Sequence, residues 1–246
     1  MPAVPAASRP YHHGDLRAAL VEQALELARA DGPAGVSLRK ATRRAGVTPP
    51  AAYRHFRDRS HLLDAVARQI QERMAARMRE GMATPSDAPP PERALQRLRG
   101  VGLGYIGFAL EEPGWFETGF FGALREEPAP ADGAGSRRAT SAADGGGDGE
   151  NGDGENGDGD GESGEGTGAG PSATVPPFRL LVEALDRCVE AGALAPARRP
   201  GAEFVCWSAV HGFAELVLHG PLHGVPPATV QQLAGRVVED AIAGIR

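Results

Sequence analysis

Cysteine is nearly absent: Cys188 and Cys206 are the only two in 246 residues. Two lone thiols make no disulfide framework, so a reducing cytoplasm is the expected compartment. Lysine is scarcer still. Lys40 stands alone among 26 basic residues, an arginine bias that reads as genome composition rather than mechanism. Aromatics make up 5% of the chain. No run approaches the ~18 consecutive apolar residues that a membrane span needs, so no membrane partner is expected. Pro2, Pro5 and Arg9 precede any apolar stretch, which is not the pattern of a secretory signal. β-branched alternation is almost missing, which argues against sheet. No Ser/His/Asp set, phosphate loop or paired-carboxylate context appears, and catalysis is not expected.

The net charge of −6 conceals two opposite regions. Residues 139–178 hold nine acids and no base, so the chain without them carries +3. Residues 1–79 carry 14 bases against 7 acids. A basic head suggests an anionic partner. Between Leu124 and Val175 no large apolar residue occurs, and such a segment cannot offset its own chain entropy. A disordered acidic, Gly-rich linker is expected over 128–174. Its Asn-Gly-Asp-Gly repeats suggest calcium, but position 12 counted from Asn156 is Thr167 rather than Glu, and the EF-hand spacing fails. A Pro-rich break is expected over Ala83–Pro91.

What is present is helical periodicity. Leu16, Leu20, Ala24 and Leu27 line one face of a helix expected from Asp15, its N-cap, to Ala30, stopped by Gly32-Pro33. Further helices are expected over Phe178–Ala191, closed by Gly192, and Ala202–Leu218, closed by Gly220-Pro221. Val230, Leu233, Val237, Ala241 and Ile245 trace a last stripe. The fold class is all-α.

The most informative stretch runs from Ser37 to Gln69. Ser37 can cap a short helix over Leu38–Ala45 that stops at Gly46. Thr48 can cap a second, to about Phe56, with Pro49 where a missing N–H does no harm. Asp58 caps a third, whose apolar face is Leu62, Leu63, Val66 and Ile70. Two short helices joined by a glycine turn in a basic segment form a helix-turn-helix, whose second helix enters the major groove.

This stretch, Ser37-Leu-Arg-Lys-Ala-Thr-Arg-Arg-Ala-Gly-Val-Thr-Pro-Pro-Ala-Ala-Tyr-Arg-His-Phe-Arg-Asp-Arg, resembles the DNA-binding domain of TetR/AcrR-type transcriptional repressors. Tyr11-His-His-Gly-Asp-Leu-Arg resembles the start of one branch. Phe108-Ala-Leu-Glu-Glu-Pro and Phe204-x-x-Trp207-Ser-x-x-His211-Gly212 resemble the regulatory domain named for its Trp-His-Gly pattern. The resemblance implies DNA contacts by position: Thr48 to the groove, Tyr53 and His55 to phosphate, and Pro49 on the same recognition helix. Arg39 and Arg43 lie near the phosphates on the preceding helix. Arg59 replaces the family's usual lysine and keeps its charge. Pro50 and Ala52 replace commoner Ala and Leu, and Lys40 replaces a Glu, so Ser37 has no capping-box partner. Arg68, Arg73, Arg77 and Arg79 read as a solvated face.

In the other half, Gly102-x-Gly104-x-x-Gly107 matches a dinucleotide fingerprint, but no strand precedes it. Close helix packing is the better reading. His211, Glu215 and His219 share one helix face and raise a metal alternative, without the zinc-protease spacing. Trp115, Phe116, Phe120 and Phe121 crowd seven positions. They are either core or the lining of the effector pocket that the resemblance implies, with Tyr105, Trp207 and His211 as further candidates. The resemblance implies a DNA-binding domain over 10–70 and a ligand-binding and dimerisation domain over 71–127 and 175–246. It implies a repressor responsive to a small-molecule effector, acting as a homodimer on double-stranded, palindromic DNA through its last two helices, with no cofactor. The alternatives are a metal-binding or enzymatic helical protein and an activator without effector.

Overall fold

A computed structural model describes residues 16–83, 87–121 and 175–246. The expected Asp15 cap, the Tyr11 motif and the acidic segment fall outside those residues. Among the described residues there are nine α-helices and no strand, and no helix is long and apolar enough to cross a membrane.

Helix α1 spans Leu16–Gly35, but Gly32 breaks it with φ 62° and ψ −162°. Its last turn is therefore a separate piece, set off at the Gly-Pro pair where the helix is expected to stop. Helix α2 is Leu38–Ala45, with Ser37 Oγ accepting from Lys40 N at 3.2 Å. Gly46 follows at φ 69°, a left-handed conformation that glycine adopts without a Cβ penalty. Helix α3 is Pro49–Tyr53, shorter than expected. Thr48 takes the extended backbone of a cap, yet its side chain makes no capping hydrogen bond. The two prolines stand at the first helical positions, where fixed φ starts the turn. Helix α3 ends early because the chain turns under Phe56. His55 N and Phe56 N both donate to Ala52 O at 2.9 Å, and Phe56 is fully buried.

Helix α4, Arg59–Met82, starts at Asp58, whose Oδ1 accepts from His61 N at 2.7 Å. It buries Leu62, Leu63, Val66 and Ile70 as expected, and then Met74 and Met78. Helices α5 (Pro90–Glu111) and α6 (Pro113–Phe121) follow. Helices α7 (Pro176–Glu190), α8 (Ala202–Leu218) and α9 (Pro227–Ile245) complete the bundle. Helix α4 packs along α5, and α5 also touches α7, α8 and α9. The nucleotide-like glycines lie inside α5 and not in a strand-to-helix loop. A Cβ on Gly104 would come within 2.8 Å of Met78 Cα, and one on Gly100 would collide with the Gly81 backbone. Small residues let α4 and α5 cross backbone to backbone.

The terminal helix corrects one expectation. Helix α9 buries Val230, Ala234, Val238 and Ile245, while Leu233, Val237 and Ala241 are only half-buried. The core face is thus rotated by about one residue from the expected stripe. Three of the five stripe positions are left at its edge.

Candidate nucleic-acid interface and regulatory core

The helix-turn-helix is held by contacts made from behind. Leu38, Ala41 and Ala52 are buried, and α2 and α3 both rest on α1. With those positions turned inward, the opposite face faces solvent. Arg39, Arg43, Thr48, Pro49, Tyr53 and His55 are all exposed. Tyr53 is 58% exposed, unusual for a large aromatic unless its ring has another use. Arg44 and Arg54 are also exposed on these elements. Sequence reasoning had not singled them out, although their charge was visible.

Arg59 is placed differently from those residues. Its Nε donates to Val36 O at 2.8 Å and its Nη2 to Pro33 O at 2.6 Å. Both carbonyls lie where α1 passes into α2, and Pro33 O also accepts from Val36 N at 3.2 Å. Arg59 therefore ties the start of α4 to the connection between α1 and α2.

In the other half, five of the seven expected pocket residues meet and Trp115 does not, while the side chain of Phe121 lies outside the described residues. Tyr105 on α5, Phe116 and Phe120 on α6, and Trp207 and His211 on α8 form one cluster. Tyr105 packs edge-on against Trp207 at 4.9 Å between centroids, and Phe116 lies 5.4 Å from His211. Tyr105 and Phe116 are 1% and 0% exposed, while Phe120, Trp207 and His211 are half-buried at the outer side of the cluster. Trp115 is elsewhere. Its Nε1 donates to Leu25 O at 2.8 Å, and Arg29 and Arg73 lie over its ring. Arg29 also makes a paired contact with Glu112. Trp115 clasps α6 to α1 and α4, because one helical residue on from Trp115 points Phe116 toward a different side.

Tyr105 Oη and His211 Nδ1 are hydrogen-bonded at 2.7 Å. Burial pushes the Tyr105 hydroxyl well above its ordinary value, and the charge of Glu215 adds to this. Burial holds the His211 imidazole below its ordinary value, with Glu215 opposing. The His211 Nδ1 faces Tyr105, whereas the His219 Nδ1 sits 3.0 Å from Glu215 Oε2. The two imidazoles therefore turn to different partners, and among the described residues no group of three ligating side chains converges. Cys188 and Cys206 are buried with thiols pushed up to about 11, chiefly by desolvation.

The His211 environment has a consequence for stability. A histidine with a lowered folded pKa contributes stability above its unfolded value, about 6.5, and loses it as pH falls. The unfolded chain takes up the proton first. Urea denaturation at pH 7.5 and 5.5 is expected to show the fold weakening on acidification, with a smaller fall in His211→Gln. An equal fall in both proteins would remove His211 from the acid response.

A small helix-turn-helix with an outward basic face, mounted on a helical bundle, defines the class of DNA-reading regulators. Comparison with known proteins gives the family. Residues 20–66 match the bacterial regulatory proteins of the tetR family, and residues 161–241 match the tetracyclin repressor-like C-terminal domain. An uncharacterized HTH-type transcriptional regulator, YobS, of Bacillus subtilis (strain 168) is 28% identical over 99 residues. That match takes in 40% of this chain and 48% of the relative, so it spans about half of the relative's length. A protein of unknown function from Rhodococcus sp. RHA1 shares the fold with a TM-score of 0.63 and 24% identity. The alignment covers 96% of this chain and 98% of that one. A TetR family transcription regulator from Marinobacter aquaeolei VT8 shares it with a TM-score of 0.52 and 16% identity, over 92% and 94% of the two chains. The chain belongs to the TetR family of transcriptional regulators, which are not enzymes.

Proposed function

We propose that this chain is a ligand-responsive repressor that binds a palindromic operator as a homodimer in the cytoplasm. Residues 10–70 would be its DNA-binding domain, and 71–127 with 175–246 its ligand-binding and dimerisation domain. The observation that carries the reading is the solvent-facing side of α2 and α3. It gathers Arg39, Arg43, Thr48, Pro49, Tyr53 and His55 on one small buried scaffold. Arginine and tyrosine there suit phosphate oxygens, and Thr48 at the start of α3 suits base edges. A dimer is supported by a second apolar surface. Val205 and Leu216 on α8 are 50% and 45% exposed, and Leu233 and Val237 on α9 are half-buried. Gly212 lies between Val205 and Leu216, and among the described residues no atom beyond its neighbouring helix backbone stands within 4 Å of where its Cβ would be. A second copy could approach closely there. Effector response follows if ligand prefers a conformation whose recognition helices are wrongly spaced for DNA.

Tyr53→Ala tests the DNA-contact reading on a duplex selected by the protein from a random library. Because the ring is exposed, melting should not change. Affinity is expected to fall about tenfold on selected and random DNA alike, since a phosphate contact carries no base information. A phenol carries no charge and releases no counterion, so the salt slope should stay unchanged, in contrast to the loss of an arginine contact. Unchanged affinity would remove Tyr53 from the interface.

A further inference from the structure

We propose a second ligand site: a cleft at the end of α4 that binds a small amphipathic organic anion through Arg93, Arg97 and Arg187. The cleft encloses about 620 Å³ between the last turn of α4, the first turns of α5 and the last turns of α7. That volume lies within the usual range of about 300–1,000 Å³ for small-molecule sites. It contains none of the aromatic cluster, so it is separate from the pocket that the sequence leads one to expect.

Among the described residues, the charges of the cleft are poorly compensated. Arg93 and Arg97 are one helical turn apart on α5, an arrangement in which like charges repel. Arg93 also lies close to the positive end of its helix dipole, which disfavours a cation. Among the described residues neither arginine, nor Arg187 across the cleft on α7, enters an ion pair. Among the described lining residues Glu190 is the one acid, which leaves an excess of two positive charges. A carboxylate or phosphate placed between the helices would relieve that repulsion. It would also accept paired N–H donors from the planar guanidinium groups. The floor is apolar: Ala94 and Ala184 are buried beneath the arginines, and Met82 closes one side. The expected ligand therefore has an anionic head and an apolar body. That this ligand is also an effector rests on the ligand-responsive reading above, because the cleft includes the end of α4, the helix that begins under the helix-turn-helix.

Titration calorimetry on the full chain tests the site with decanoate, decyl phosphate and 1-decanol, and with inorganic phosphate alone. Decanoate or decyl phosphate should bind, and their ratio tells which head group is preferred. Decanol and inorganic phosphate should each bind at least tenfold more weakly. Arg97→Gln and Arg187→Gln should each weaken the anion about tenfold, and the Arg93/Arg97/Arg187 triple Gln variant should abolish binding. These side chains are exposed, so the variants should melt like the parent and bind operator normally. No binding by either anion overturns the site, as does equal binding to the triple variant. Operator release by the anion in the parent but not in the triple variant supports the effector role. Arginine-dependent binding without release overturns that role and leaves the site standing. Failure of the unliganded protein to bind any selected duplex would overturn the repressor reading alone.

Discussion

A Val237→Glu variant is expected to sediment as a monomer, keep its helical circular dichroism and lose operator binding. In the single chain Val237 stands at the edge of the core. Val230, Ala234 and Val238 of the same helix point inward, while Val237 is half-buried and open on one side. A carboxylate there is solvated in the free chain, so the fold should survive. Covering it with a second copy would strip water from a charge without supplying a partner, which is costly in an apolar contact. Two-fold symmetry worsens this by bringing in a second carboxylate. The loss at the operator follows from linkage. Two half-site readers held together gain about 10²–10⁴-fold over either alone, so separating them should cost an amount in that range. Analytical ultracentrifugation and operator titration check both halves. A variant that stays dimeric and binds normally would place the interface elsewhere on the molecule.

Phe116→Ala is expected to destabilise the protein by about 3–5 kcal/mol, the usual cost of truncating a buried Phe. For an ordered region of this size that is on the order of 10 °C in melting temperature. The ring is 0% exposed and lies within 6 Å of Tyr105, Phe120 and His211 by centroid. Its removal leaves a void lined by rings that cannot collapse together, because each is fixed by other contacts. Tyr105 is bonded to His211 and packed on Trp207. Thermal denaturation separates the two roles of the cluster. A loss under about 1 kcal/mol would mean that the rings line an accommodating pocket, since truncation at a pocket wall leaves little new void. A large loss, restored in part by a small aromatic solute such as benzene, would mean a core that becomes a pocket only when opened.

Helix positions were legible because they depend on local chemistry. Ser37, Gly46 and Asp58 act as caps or stops wherever a helix begins or ends beside them. The side chains of Ser37 and Asp58 accept the backbone N–H groups expected of them. Thr48 did not follow, because capping also requires a rotamer that its surroundings decide. Helix α3 ended before Phe56 for a related reason. Burying that ring under α1 outweighs another turn of helix, and no local signal announces it.

Sequence alone determined the all-α class, most helix boundaries and the basic helix-turn-helix, since periodicity, caps and charge are properties of neighbouring residues. Only the tertiary structure decided which side of each helix is buried. It rotated the α9 core face by a residue, set Trp115 apart from Phe116, and turned Arg59 onto the carbonyls of Pro33 and Val36. It also placed Arg93, Arg97 and Arg187 around one cleft. These outcomes depend on which helices meet and at what separation. Those separations are set by contacts such as the close crossing of Gly81 and Gly100, between residues far apart along the chain.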